Sequence, residues 1–259
     1  MIKFQSKAQT LEKLKIKGAI IPKMKIFKVN TFLKNKKIVF NYIHKNFRGK
    51  KIVIRSSNRF EDKKKESNAG LFYSATNIDP KKYKVVEREI YNVISSYRKY
   101  QHKDNEFFIQ EMITDIKMSG VITTCDISSK LPFYTINYST KNSTDVTSGK
   151  KNVHRINIFR ENKNFQNKDI KKIINITKKI EKKYKEYYLD IEFILTKKNK
   201  FIILQVRPIL INNLVLSSKY LKKLYDKLAK KIKKLQVSNP SLIGNTTYFG
   251  VMPDWNPAE

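Results

Sequence analysis

Two runs in the second half of the chain restrict its fold more than anything else: YLDIEFIL at 188–195 and FIILQVRPI at 201–209. Both are dense in β-branched and aromatic residues, so they read as neighbouring strands of one hairpin. Side chains alternate along a strand, which puts Asp190 and Glu192 on one face and Leu189, Ile191 and Phe193 on the other. The same alternation groups Gln205 and Arg207 with Phe201 and Ile203. A four-residue connection over 197–200 then sets Glu192 opposite Gln205 and Asp190 opposite Arg207. Two carboxylates, an amide and a guanidinium share one patch of an apolar sheet. That grouping survives a register shift of two residues and fails for a shift of one.

The patch has a definite chemistry. Magnesium takes hard oxygen ligands, one or two from protein and the rest from water and phosphate. Glu192 and the Gln205 amide oxygen can supply them. Arg207 stays charged at any relevant pH and can fork onto a phosphate. The plain alternative is a solvated, salt-bridged hairpin face, which contributes little.

A second unusual stretch lies at 53–78, VIRSSNRFEDKKKESNAGLFYSATNI. It gathers Arg55, Ser56, Ser57, a glycine and Ser74, donors suited to phosphate oxygens. Arginine is informative here because only eight of the 55 basic residues are arginine. The remaining lysines are spread along the chain, so the net charge of +33 reads mainly as solvated surface. A basic module contacting nucleic acid or anionic lipid is the alternative from another class. With 40% apolar residues, the 259-residue chain can build a real core. The single cysteine, Cys125, cannot form an internal disulfide. There is no signal-peptide pattern and no apolar run of the roughly 18–20 residues needed to cross a bilayer. A cytoplasmic location is expected.

Ser6-Lys7-Ala8-Gln9 reads as a capping box opening a helix that Gly18 would stop. That places Lys7 at a helix N-terminus, where free N–H groups favour an anion. Further helices are expected over 31–47, 83–100, around 170–184 and over 216–235, with strands at 51–55, 106–113, 119–126 and 131–139. The segment VSNPS reads as a linker, and YFGVMPDWNPAE as the opening of a further domain.

Together these segments resemble the nucleotide-binding domain of the phosphoenolpyruvate synthase and pyruvate phosphate dikinase family. Arg55, Ser56, Ser57, Glu61, Asp62, Ser67, Ala69, Gly70, Ser74 and Asn77 fall on matching or similar types in one family block. FIQEMI followed by SGVITT matches a second, and LDIEF followed by ILQVRPI matches a third. The resemblance implies a two-lobed α+β ATP-grasp fold with ATP between the lobes. It implies an N-terminal lobe over 1–103, a C-terminal lobe with the metal site over 104–211, a basic helix and linker over 212–238, and a truncated acceptor domain from 239.

The resemblance also assigns roles. Arg55 would contact ATP phosphates, with Ser56, Ser57 and Ser74 nearby, and Lys7 falls on the lysine of the family's N-terminal G-G-K motif. Gln110 and Glu111 would line the adenine pocket. Glu192 and Gln205 would hold Mg2+, and Arg207 would neutralise charge on the transferred phosphoryl group. Gln5-Ser6 stands in place of the glycine pair before Lys7, and Gly149 is the nearest candidate for the family's second-lobe glycine loop. No Walker motif is present.

In such enzymes ATP phosphorylates a histidine on a swivelling domain, which carries the group to a distant acceptor. None of the three histidines (His44, His102 and His154) lies in the family's carrier setting, so carrier and acceptor domains are expected in the same longer chain. GVMPDWNPAE and KFQSKAQTLEKL resemble the bacterial capsular L-glutamine kinases. These pass the β-phosphate of ATP through histidine to the glutamine amide, leaving AMP and phosphate. Phosphoenolpyruvate synthase-like and rifampin phosphotransferase-like activities are the alternatives within the family.

Overall fold

The computed structural model describes residues 4–58, 72–97, 105–140, 153–185, 187–209, 211 and 216–235. The expectations resting on Glu61, Asp62, Ser67, Ala69, Gly70, His102, Gly149 and the segment 236–259 lie outside these residues.

Two sheets, each with its own core, make an α+β molecule of two lobes. The smaller sheet runs in the order β2 (Met24–Lys28), β5 (Glu106–Glu111), β3 (Ile52–Ser57), β4 (Ser74–Ile78). One face carries Ile52, Ile54, Phe107 and Ile109, covered by α2 (Val29–Lys34), α3 (Lys36–Asn46) and α4 (Tyr83–Ser95) through Phe32, Val39, Ile43, Val86, Ile90 and Val93. Each such aliphatic side chain contributes about 1.5–3 kcal/mol when taken out of water. The expected helix over 31–47 is two helices. Asn35 leaves helical geometry (φ −150°, ψ 89°), and its side chain caps the second helix by accepting from Lys37 N.

The larger sheet runs β1 (Ala19–Ile20), β10 (Phe201–Ile209), β9 (Tyr188–Leu195), β6 (Met118–Thr123), β7 (Phe133–Ser139), β8 (His154–Phe159). Helix α5 (Lys168–Glu181) lays Ile170, Ile173, Ile174 and Ile180 into its core, and Asn167 caps it by accepting from Asp169 N and Ile170 N. Gly120 lets β6 and β7 close up. A Cβ there would lie 2.2 Å from the Asn137 carbonyl oxygen and 2.9 Å from Tyr138 Cα.

The sheets do not divide at 103/104. β5 sits inside the smaller sheet, because β2 and β3 satisfy its two hydrogen-bonding edges. The start of the chain belongs to the larger lobe: α1 (Lys7–Lys13) sends Ala8 and Leu11 into its core, and β1 pairs in parallel with β10. Helix α1 stops at Lys13, short of Gly18, whose φ of +93° serves a turn before β1. Helix α6 (Ser218–Leu235) leaves Tyr220, Leu224, Tyr225 and Leu228 exposed. Among the described residues no helix is long and apolar enough to cross a membrane.

Candidate functional site

The closing hairpin has the expected register, with Glu192 opposite Gln205 and Asp190 opposite Arg207, but reaches it differently. The strands pair from Leu195 and Phe201 inward, leaving a loop over 196–200, and an irregularity between Ile203 and Gln205 restores the register. This bulge at Leu204 shifts every later residue by one position. Phe201 and Ile203 therefore turn into the core, away from Gln205 and Arg207, contrary to the simple alternation. Val206, opposite Ile191, joins them there.

The bulge serves the site directly. Arg55, reaching across from β3, donates through Nη1 to the Leu204 carbonyl at 3.1 Å. Its Nη2 donates to Glu192 Oε2 at 3.0 Å and to Gln205 Oε1 at 3.1 Å. The guanidinium lies over Phe108, 5.8 Å from the ring centroid. Phe108 is Arg55's cross-strand partner on β5 and buries into the larger lobe's core, so one aromatic ring both joins the lobes and supports the arginine. Beside this group Arg207 donates from Nε to Asp190 Oδ2 at 2.8 Å, and its Nη2 lies 2.6 Å from the same oxygen.

The two carboxylates differ electrostatically. Burial works against the charge on Glu192, but the Arg55 guanidinium, helped by Lys7 and Arg207, outweighs it and holds that carboxyl below its usual range. Burial pushes Asp190 up, and Arg207 offsets this only in part. Asp190 Oδ1 is buried with no hydrogen-bond partner. The positive charge of Lys7 acts on both carboxylates, lowering each, which places this side chain toward the same cleft.

Strand alternation sorts the remaining candidates. Arg55 pairs with Ser74 and Phe108, Ser57 with Glu106, and Val53 with Gln110, all on the sheet face turned toward the larger lobe. Ser56, beside Phe107, and Glu111, beside Ile52, belong to the opposite, helix-covered face and are not brought to the cleft. Glu111 instead pairs with Lys50 at 2.8 Å. Ser57 is on the cleft face, but its hydroxyl accepts from Ala8 N at 3.1 Å, tying α1 to β3. Gln9 N donates to Ser6 Oγ. With the Ala8 and Gln9 amides of this seven-residue helix committed to Ser57 and Ser6, the expected N-terminal anion site lacks two of its donors. Ser74 is exposed on edge strand β4. Gln110 is 2% exposed and its Nε2 has no partner, an amide donor buried without an acceptor.

Three contributors had no assigned role in the sequence reading: the Leu204 carbonyl, Phe108 under the Arg55 guanidinium, and Glu106, whose carboxylate accepts from Ser6 Oγ and twice from Gln9 Nε2, fixing α1. The donor set suits a hard divalent cation. Glu192 Oε2 and Gln205 Oε1 already converge on one cationic nitrogen, and Asp190 Oδ1 is an unused buried oxygen beside them. Among the described residues there is no group of three or more His, Cys, Asp and Glu side chains able to hold a metal, so any ion here shares its shell with the amide and with ligand oxygens.

A family model described as the pyruvate phosphate dikinase AMP/ATP-binding domain matches residues 130–228, which include Asp190, Glu192, Gln205 and Arg207 but not Arg55. Among solved structures, the D-alanine–D-alanine ligase from Helicobacter pylori is 13% identical, with 91% of this chain and 56% of that chain covered and a TM-score of 0.40. VanG D-Ala:D-Ser ligase from Enterococcus faecalis is 15% identical, covering 81% and 57% at a TM-score of 0.44. The RiPP-associated ATP-grasp ligase from Chryseobacterium gregarium is 12% identical, covering 88% and 57% at 0.41. The chain spans little more than half the length of these structures, and likenesses so loose carry no argument about activity. No curated protein sequence matches significantly.

Proposed function

We propose that this chain is the ATP-binding part of a phosphotransferase, an ATP-grasp domain that takes Mg·ATP between its two sheets. The observation that carries the reading is the convergence of Arg55 from the smaller sheet on Glu192 and Gln205 of the larger one. The match of residues 130–228 to an AMP/ATP-binding domain supports it independently.

Glu192 and Gln205 would hold the metal through oxygen, with Asp190 adjacent. Bound Mg2+ would supply Lewis-acid neutralisation of phosphate oxygens. Arg207 is pre-oriented by Asp190, so its guanidinium would meet charge developing on a transferred phosphoryl group with little reorganisation. Lys7 adds a third cation to that cleft. The unpartnered Gln110 amide suits an acceptor on a nucleobase edge. For the whole enzyme, the finer reading is transfer of the β-phosphate through a phosphohistidine to L-glutamine. The phosphohistidine step rests on the family resemblance, and L-glutamine on resemblance of the first and last segments alone.

Thermal melting with and without millimolar Mg·ATP tests the reading. A ligand binding only the folded state raises stability by about 2.7 kcal/mol at 100 times its Kd. Wild type should shift upward and Arg207→Ala should lose most of that shift. Should wild type ignore Mg·ATP yet bind long polyanions with a steep salt slope, the basic-module reading wins.

A further inference from the structure

In the structure Arg55 stands where a cation would stand. Its Nη2 is 3.0 Å from Glu192 Oε2 and 3.1 Å from Gln205 Oε1, the two oxygens best placed to bind metal. Its Nη1 holds the Leu204 carbonyl, and Phe108 supports the guanidinium plane. A divalent ion and this nitrogen cannot share the same pair of oxygens: both are cations, and like charges at such separations repel strongly away from bulk water. Arg55 and Glu192 are only 14% and 20% exposed at their side chains, so water does little to relieve that repulsion.

We infer that Arg55 is an internal stand-in for the metal, excluding free divalent cations from Glu192 and Gln205 until a polyphosphate offers the guanidinium a new partner. The inference rests on the nucleotide reading above. Metal and polyphosphate then bind with positive coupling: the phosphates draw Arg55 off the two oxygens, and each ligand raises the affinity for the other by one common factor. Three of the bonds released also join the two sheets, so the same exchange loosens the lobes as ligand enters. Displacing the arginine by metal alone would leave a mostly buried guanidinium with two of its three acceptors lost and only the Leu204 carbonyl still in place, which opposes binding of the metal by itself.

Mn2+ binding to the ligand-free protein, followed by electron paramagnetic resonance, reads this directly and needs no turnover. Wild type should bind Mn2+ alone weakly, and Arg55→Met should bind it at least tenfold more tightly. In the double variant Arg55→Met, Glu192→Ala that gain should vanish. Arg55→Lys, which keeps charge but lacks the fork, should fall between and guards against misfolding of the methionine variant. In wild type, adding a non-hydrolysable ATP analogue should raise Mn2+ affinity at least tenfold. Equal Mn2+ affinity in wild type, Arg55→Met and Arg55→Lys overturns the inference, even if Mn·nucleotide still binds and the nucleotide reading stands. If no Mn2+ binds to any of these proteins with or without nucleotide, both fall together.

Discussion

Glu192→Ala should destabilise the ligand-free protein by about 2 kcal/mol, and the figure can be worked from the contacts. The change removes a charge-assisted hydrogen bond, usually about 1.5–3 kcal/mol. It also strands a guanidinium, which costs about 3–5 kcal/mol when wholly buried. Two features move the cost toward the low end. Arg55 keeps Gln205 Oε1 and the Leu204 carbonyl as acceptors. Losing the Glu192 charge also eases ionisation of Asp190, which that charge opposes. For a chain this long about 2 kcal/mol is a fall of about 4–8 °C in Tm. A double-mutant cycle with Arg55→Met should give a coupling of about 1–2 kcal/mol. The pH dependence has a fixed sign. Glu192 titrates below its unfolded value, so its contribution is present above the ordinary carboxylate range and is lost as pH falls through the depressed folded pKa. The gap between wild type and Glu192→Ala should therefore close in acid. A coupling within about 0.3 kcal/mol of zero at neutral pH refutes the reasoning.

Gly120→Ala should cost about 3 kcal/mol or more, since the methyl group meets backbone on a neighbouring strand rather than a movable side chain; urea unfolding checks this, and a cost near zero means β6 and β7 are not so closely paired. Burial pushes the Cys125 thiol up to about 11, so it should label at least about 100-fold more slowly in the native protein at pH 8 than in denaturant. Fast native labelling would mean the core under β6 opens readily. Gln110→Leu, which removes an unpartnered buried donor, should leave Tm unchanged or raise it while weakening Mg·ATP binding; unchanged binding removes Gln110 from the site.

Much of this was legible in residues whose environment is set by local period. The isoleucines of α5 and the alternating runs of β9 and β10 fix their elements because burial follows 3.6- and 2-residue spacing. The hairpin's polar pairing was legible for the same reason. The bulge was less so, although it has a signature. The core-facing residues of β10 switch from odd positions, Phe201 and Ile203, to the even Val206, while β9 keeps Leu189, Ile191, Phe193 and Leu195 on one parity. Strands β1, β2, β4 and β8 escaped because they are short or largely exposed, with too little apolar alternation to read. The placement of Ser56 and Glu111 on the far face follows from alternation about Arg55 and Gln110, and a linear motif conceals it. The Ser6 cap on Gln9 N was legible locally, but commitment of Ala8 N to Ser57 depends on a contact across 49 residues, which local pattern cannot supply.

The most direct test of the whole account is a crystal structure of the domain with Mg2+ and a non-hydrolysable ATP analogue. The account predicts the triphosphate between the two sheets, metal on Glu192 and Gln205, and Arg55 moved onto phosphate oxygens. Nucleotide bound instead to the lysines of α6, with Arg55 still resting on Glu192, would contradict it.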